Sequence, residues 1–413
     1  MYFYKHKDCI LASLTERKNF NSITEAEASQ YNGILYVLNE MEPLKSRRSF
    51  CITSPSHVFL QKEGLELLKK SYSYKNSLPH WLEEKINKRM VTSLNTLYPD
   101  WEDVLDFTHP KKWRINVAGL GDVGGILATG LKLLGGKNIS ALGLYDINEH
   151  KIRRWCMEIG QIALPSYKPS PEILPLKDEE LFDCDMFVYC VSKGVPPADS
   201  EIKDVRMYQY ESNSKIIKTY AKMARNNKFK GTFAVVSDPV DLLCNAVFKE
   251  SNCTDKGMAD FKGLAPEQIR GFGLGVMHAR AAYYSREQQE TLHYEKEGRV
   301  FGPHGEGLVV SDSIKKYNHE LSIMLTKKTI NANMKIRETG FKPYAAPALS
   351  SGSLPIIATI TGKWHYSAVF LGGVFMGCKN RLIASGTEIE TLDIPELLWQ
   401  RLKNTYNNLS NSI

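Results

Sequence analysis

Residues 113–125 read WRINVAGLGDVGG, an apolar run that stops in glycines. Gly119, Gly121 and Gly124 have GxGxxG spacing, and Asp122 and Val123 complete the loop between them. On its own that spacing says little. Here it follows a buried strand pattern and opens a helical one, ILATGLKLLGG, and the next apolar run ends in Asp146, about 20 residues on. That is the full context of a dinucleotide site. Gly119 permits the tight turn, Gly121 lets the backbone approach a pyrophosphate at the helix N-terminus, and Gly124 allows close helix–strand packing. Asp146 would accept hydrogen bonds from ribose hydroxyls and repel a 2′-phosphate, which favours NAD over NADP.

Outward from this stretch, strand and helix patterns alternate. ISALGLYD, DMFVYCV and GTFAVVS read as further strands. INEHKIRRWCMEI, ESNSKIIKTYAKMARNN and VDLLCNAVFKE read as helices, and Gly135 closes the helix after the glycine loop. The alternation predicts an α/β fold, a doubly wound parallel Rossmann sheet with helices on both faces. Before Trp113 the character changes. Thr24 and Glu27 form a possible capping box, NGILYVLNEM and SFCITSPSHVFL could be strands, and PHWLEEKINKRMVTSLNTLY looks helical. Pro99, Pro110 and HPKKWR mark a junction near 108–113. Three parts are expected: an N-terminal α+β unit over 1–112, an NAD-binding domain over 113–270, and an α+β catalytic domain over 271–413. No motif in the first part points to a chemistry.

Bulk composition narrows the class. The chain has 413 residues, 43% apolar, ample for a core, and no run approaches the roughly 20 apolar residues of a membrane span. No secretory leader pattern is visible in MYFYKHKDCILASL. The formal charge of +7 comes from short basic clusters set among acids, the pattern of a solvated face and not of a nucleic-acid site. Eight cysteines show no CxxC and no zinc spacing, so buried free thiols in a reducing cytoplasm and no metal site are expected.

Downstream, three stretches carry chemistry-bearing residues. VVSDPVD, residues 235–241, ends an apolar run in Asp238 and Asp241. IRGFGLGVMHAR, residues 269–280, puts Arg280 on a helix after a glycine-rich strand end. RVFGPHGEG, residues 299–307, holds His304 in a tight turn between glycines. Beside a nicotinamide site, the histidine suggests a proton donor and the arginine a carboxylate clamp.

Taken in order, GLGDVGG, Asp146, VSKGVPP, DVRMYQYESNS, VVSDPVD, RGFGLGVMHAR and GPHGEG resemble the L-lactate/L-malate dehydrogenase family over some 300 residues. The resemblance implies reversible, NAD-linked reduction of a 2-oxo acid to an L-2-hydroxy acid. It implies that His304 protonates the carbonyl oxygen, that Arg280 grips the substrate carboxylate, and that Arg206 polarises the carbonyl from a mobile loop. It places Asn213 and Ser237 at the cofactor. It implies a soluble cytoplasmic homo-oligomer, dimer or tetramer, whose partner is a small-molecule acid and neither nucleic acid nor membrane.

Three positions depart from the family pattern. Asp238 stands where the family has asparagine. Met277, three residues before Arg280, stands where the family has the aspartate that pairs with its histidine. Pro197 stands at the specificity position on the loop, where malate enzymes have arginine and lactate enzymes glutamine. One carboxylate is lost and one gained, so Asp238 is read as the displaced partner of His304; alternatively it retunes the pocket, or the site is degenerate. Asp241 is read as an acid in the first helical turn. Pro197 offers no charge to a second carboxylate, and Pro343 is expected near the pocket floor. Both favour an apolar substrate side chain, aromatic or branched as in phenylpyruvate. Lactate dehydrogenase proper and a non-catalytic NAD-binding sensor are the alternatives.

Overall fold

The computed structural model describes residues 1–70, 78–165, 168–193 and 205–412; nothing is stated about the side chains of 205–207. The apolar run Trp113–Ala118 is strand β7 of a nine-stranded sheet. Its parallel part comprises β7, β8 (Ile139–Tyr145), β9 (Glu172–Pro175), β10 (Met186–Tyr189), β11 (Thr232–Val235) and β12 (Ile269–Gly271), in spatial order β9-β8-β7-β10-β11-β12. That is the doubly wound order, which reverses direction between β7 and β10. β7, β10 and β11 are buried almost end to end, so both faces must be covered. The helices Asp122–Leu134, Glu149–Gly160, Val205–Asn226 and Val240–Ser251 connect these strands.

The sheet continues beyond β12. Antiparallel strands β15 (His365–Leu371), β16 (Val374–Ile383) and β17 (Gly386–Ile389) extend it, so one sheet draws strands from both sides of residue 270. A separate hairpin, β13 (Arg299–Phe301) and β14 (Val309–Ser311), carries His304 in its connecting turn.

Residues 1–112 form a second sheet of six strands: β1 (Tyr2–His6), β2 (Cys9–Ser13), β3 (Asn21–Ile23), β4 (Leu35–Asn39), β5 (Ser49–Cys51) and β6 (Val91–Asn95). Its order is β3-β1-β2-β4-β6-β5, with β2, β4 and β6 parallel. The Thr24–Glu27 capping box is present at the helix Glu25–Ser29. One expectation fails here. The helix expected over PHWLEEKINKRMVTSLNTLY covers only His80–Asn87, because Arg89 turns left-handed (φ 60°) and the buried VTSLN becomes β6, between β4 and β5. Arg48–Glu267 (3.1 Å), Arg89–Glu388 (2.7 Å) and Thr92 Oγ1 to Ser385 O (3.0 Å) fasten this sheet to the rest.

Candidate active site

At the switch point, the loop after β7 and the segment after β10 line a cleft of about 800 Å³. Its walls include Gly119, Gly121, Asp122, Val123, Gly124 and Asp146. Gly119 has φ +94°, and a Cβ there would lie 2.7 Å from the Cys190 backbone. A Cβ on Gly124 would lie 1.9 Å from Gly119 O. A Cβ on Gly121 would meet nothing within 4 Å, so its backbone faces open space at the start of the Asp122–Leu134 helix. Those two tight contacts and one open face fit a pyrophosphate cradle. Asp146 Oδ2 accepts from Leu120 N (2.8 Å) and Oδ1 from Asn148 N (3.1 Å), which fixes the carboxylate at the mouth of the cleft. Lys151, Arg337 and Lys342 stand on the same wall.

Further along the strand ends, β11 leads into Ser237 and Asp238. Ser237 Oγ donates to Val191 O (2.6 Å). Asn213 is 1% exposed; its Nδ2 donates to Asp238 O (2.8 Å) and its Oδ1 accepts from Lys193 N (3.1 Å). Asn213 and Ser237 thus tie the ends of β10 and β11 and the Val205–Asn226 helix into one frame. The Asp238 side chain is 42% exposed, and its Oδ1 lies 2.9 Å from His304 Nδ1. A carboxylate can only accept, so Nδ1 carries the hydrogen. Nε2 is buried and makes no hydrogen bond among the described residues. The Gly305 backbone at φ +133° makes the turn that presents this ring. Asp241 is buried in the first turn of the Val240–Ser251 helix.

Arg280 lies on the helix Leu274–Ser285, whose start packs against the histidine: a Cβ on Gly273 would be 2.9 Å from His304 Cβ. Ser351 Oγ donates to Gly273 O (2.6 Å) and accepts from Val276 N (2.9 Å), fixing that helix end. The Arg280 guanidinium is buried, bonded to Asn333 Oδ1, and 3.8 Å from Met277 Sδ. Burial pushes its pKa down, while the nearby Tyr284 and Asp238 pull it back up. It makes no ion pair among the described residues. Met277, 2% exposed, packs its thioether on that arginine.

Pro343 lines the cleft of Asp146 with Lys342 and Tyr344, ahead of the π-helical stretch Pro347–Ser353. Pro197 lies outside the described residues, and Arg206 falls on the helix Val205–Asn226 with its side chain likewise outside them. Sequence reading missed Ser351, Asn333, Arg337 and Lys342. All four act across long sequence separations and belong to no motif.

Residues 113–259 match the family described as lactate/malate dehydrogenase, NAD binding domain. L-lactate dehydrogenase 1 of Staphylococcus aureus is 26% identical over 196 residues, 47% of this chain and 55% of that protein. The Bacillus cereus enzyme of the same name is 27% identical over 164 residues, 40% of this chain and 46% of that protein. The chain thus spans about half the length of the curated relatives it matches. Among solved structures, a lactate dehydrogenase from a Medee basin deep-sea metagenome library superposes with a TM-score of 0.60 at 20% identity, over 73% of this chain and 98% of that one. Malate dehydrogenase from Plasmodium falciparum gives 0.57 at 18%, over 72% and 96%. These two likenesses show the fold.

Proposed function

We propose that this chain, whose residues 113–259 are the NAD-binding domain of the lactate/malate dehydrogenase family, is an NAD-dependent L-2-hydroxyacid dehydrogenase. Residues 113–270 would hold the cofactor and 271–413 most of the substrate site. The observation that carries the reading is the His304–Asp238 pair, whose Nε2 makes no hydrogen bond among the described residues, beside a buried arginine on the adjoining helix that makes no ion pair among them. NAD, when bound, supplies or accepts the hydride. His304 Nε2 gives a proton to the carbonyl oxygen of a 2-oxo acid and takes it back from the alcohol in reverse. Asp238 holds Nδ1 as the donor and so fixes which nitrogen exchanges that proton. Arg280 binds the substrate carboxylate through its planar fork. Arg206 would polarise the carbonyl, and Asn213 and Ser237 position the backbone around the nicotinamide. The substrate side chain we assign is apolar, aromatic or branched. Pro197 brings no cation for a second carboxylate, and Met277 adds an apolar surface beside Arg280.

NADH oxidation with a panel of 2-oxo acids tests this. Turnover should be fastest with phenylpyruvate or a branched oxo acid and slowest with oxaloacetate. Fastest turnover of pyruvate would return the protein to lactate dehydrogenase proper. NADH binding without turnover of any member would make it a cofactor sensor.

A further inference from the structure

A second cavity, of about 830 Å³, lies between the N-terminal sheet and the dehydrogenase body. It is in the size range of small-molecule sites. Tyr31, Tyr36 and Leu105 line it from one side; Trp113, Ile360 and Leu382 line it from the other. None of these residues takes part in the site above. The charges on its wall are informative. Arg48 is paired with Glu267 (3.1 Å), and Lys230 is paired with Asp103. Arg270, on β12 and 1% exposed, has no carboxylate partner among the described residues.

Among the described residues four arginines are buried: Arg47, Arg48, Arg270 and Arg280. Arg47 is neutralised by Glu63 (2.7 Å) and Arg48 by Glu267 and Asp100. Neither of the other two makes an ion pair among the described residues: Asp238 acts on Arg280 only from a distance, and the hydrogen-bond partners of Arg270 are neutral. Arg270 Nη1 donates to Ser367 Oγ (3.2 Å) and Asn380 Oδ1, and Nη2 to Thr387 Oγ1 (2.9 Å). Nε has no acceptor. Burial pushes the guanidinium down to about 10, still charged at neutral pH. A buried charge without a counter-ion is costly, and an unused donor beside Nη2 adds to that cost. Nε and Nη2 form the side fork that matches the two oxygens of a carboxylate. The tyrosine and tryptophan walls suit a flat aromatic body.

We infer that this cavity is a binding site for a small aromatic carboxylate, with its head on Arg270 and its ring between the two sheets. The inference does not depend on the dehydrogenase reading. It also gives residues 1–112 a role, since they supply one wall.

Titration calorimetry of the full chain with biphenyl-4-acetate, and with its amide as the uncharged control, tests it. The acid should bind once per chain and the amide at least tenfold more weakly, because the fork loses its charged acceptor. Arg270→Gln should weaken the acid at least tenfold. Should that variant fail to fold, Ala384→Trp decides, because Ala384 is an exposed wall residue in a turn and the indole would fill the cavity without entering the core. It too should lose at least tenfold. Arg280→Gln should bind the acid as the wild type does. The inference is overturned by no binding of the acid, by equal binding of acid and amide, by unchanged binding to Ala384→Trp, or by loss in Arg280→Gln, which would put the ligand in the substrate cleft.

Discussion

In the N-terminal sheet, the parallel strands β4 and β6 end in Asn39 and Asn95. In the nine-stranded sheet, β8 and β11 lead into Asp146 and Asp238. The two sets of strand ends are used differently. Asn95 is fully buried; it donates to Met41 O (2.7 Å) and Ser46 Oγ (2.9 Å) and accepts from Leu97 N (3.1 Å). Asn39 donates to Ser93 Oγ (2.9 Å) and accepts from Met41 N (3.3 Å). Those bonds close on the neighbouring chain and hold turns. Across the molecule, Asp146 opens on a cleft, and Asp238 ends in a histidine whose other nitrogen makes no hydrogen bond among the described residues. A parallel sheet with polar strand ends is therefore not enough to indicate a site. What separates the two is what the strand-end side chain faces: turns of its own sheet, or a cleft and a histidine.

The largest effect that sharpens this contrast is at His304. His304→Asn should lower kcat with the best 2-oxo acid by about 10²–10⁴, the range for loss of a positioned acid–base group. Its thermal melting should stay close to wild type, because the removed Nε2 makes no bond among the described residues. An active variant would leave the strand ends of the large sheet as structural as those of the small one. Asn95→Ala should do the reverse. It leaves Met41 O and Leu97 N without their partner, which costs about 1–3 kcal/mol of stability in a denaturant titration. The kcat of the folded fraction should not change.

Much of the large sheet was legible in its sequence because its signals are local. The glycine spacing, the helix opening and the acid at the next strand end all lie within one strand–helix–strand unit. What escaped depends on distant neighbours. The strand β9, EILP, is a short edge strand ending in Pro175, which gives no periodic signal. β6 was hidden inside an apparent helix because a short apolar run does not declare its period; its pairing with β4 and β5 decides. The antiparallel β15–β17 share a sheet with β12 only through the fold. At the site, Met277 and Asp238 could be picked out in the sequence as departures from the pattern that the resemblance implies. The 2.9 Å contact to His304, the Met277–Arg280 packing and the place of Pro343 could not.

A smaller effect is expected at Asp146. Asp146→Ser removes the charge that repels a 2′-phosphate while Lys151, Arg337 and Lys342 stay on the wall. The ratio of kcat/KM for NADH over NADPH should fall by about tenfold or more, from loss of one charged interaction of roughly 1.5–3 kcal/mol. An unchanged ratio would mean that Asp146 serves its bonds to Leu120, Asn148 and Lys151 (3.5 Å), and so resembles Asn95 after all.

The smallest and most discriminating change is at Asp238. Its main-chain oxygen is held by Asn213, so the backbone should stay in place when the side chain changes. Asp238→Asn keeps an acceptor for His304 Nδ1 but makes it neutral. A charge-assisted hydrogen bond is about twice as strong as a neutral one, a difference of roughly 1 kcal/mol, so kcat should fall about fivefold. Asp238→Ala removes the acceptor and frees the ring to turn, so its loss should be larger, about tenfold or more, with KM for the oxo acid nearly unchanged. That order, wild type above asparagine above alanine in kcat, is what a residue that orients the histidine must give. Equal loss in both variants would assign the effect to charge alone, which acts on Arg280 as well and would then appear in KM. If neither variant lost activity, the Asp238–His304 contact would belong with the closed hydrogen bonds of the small sheet.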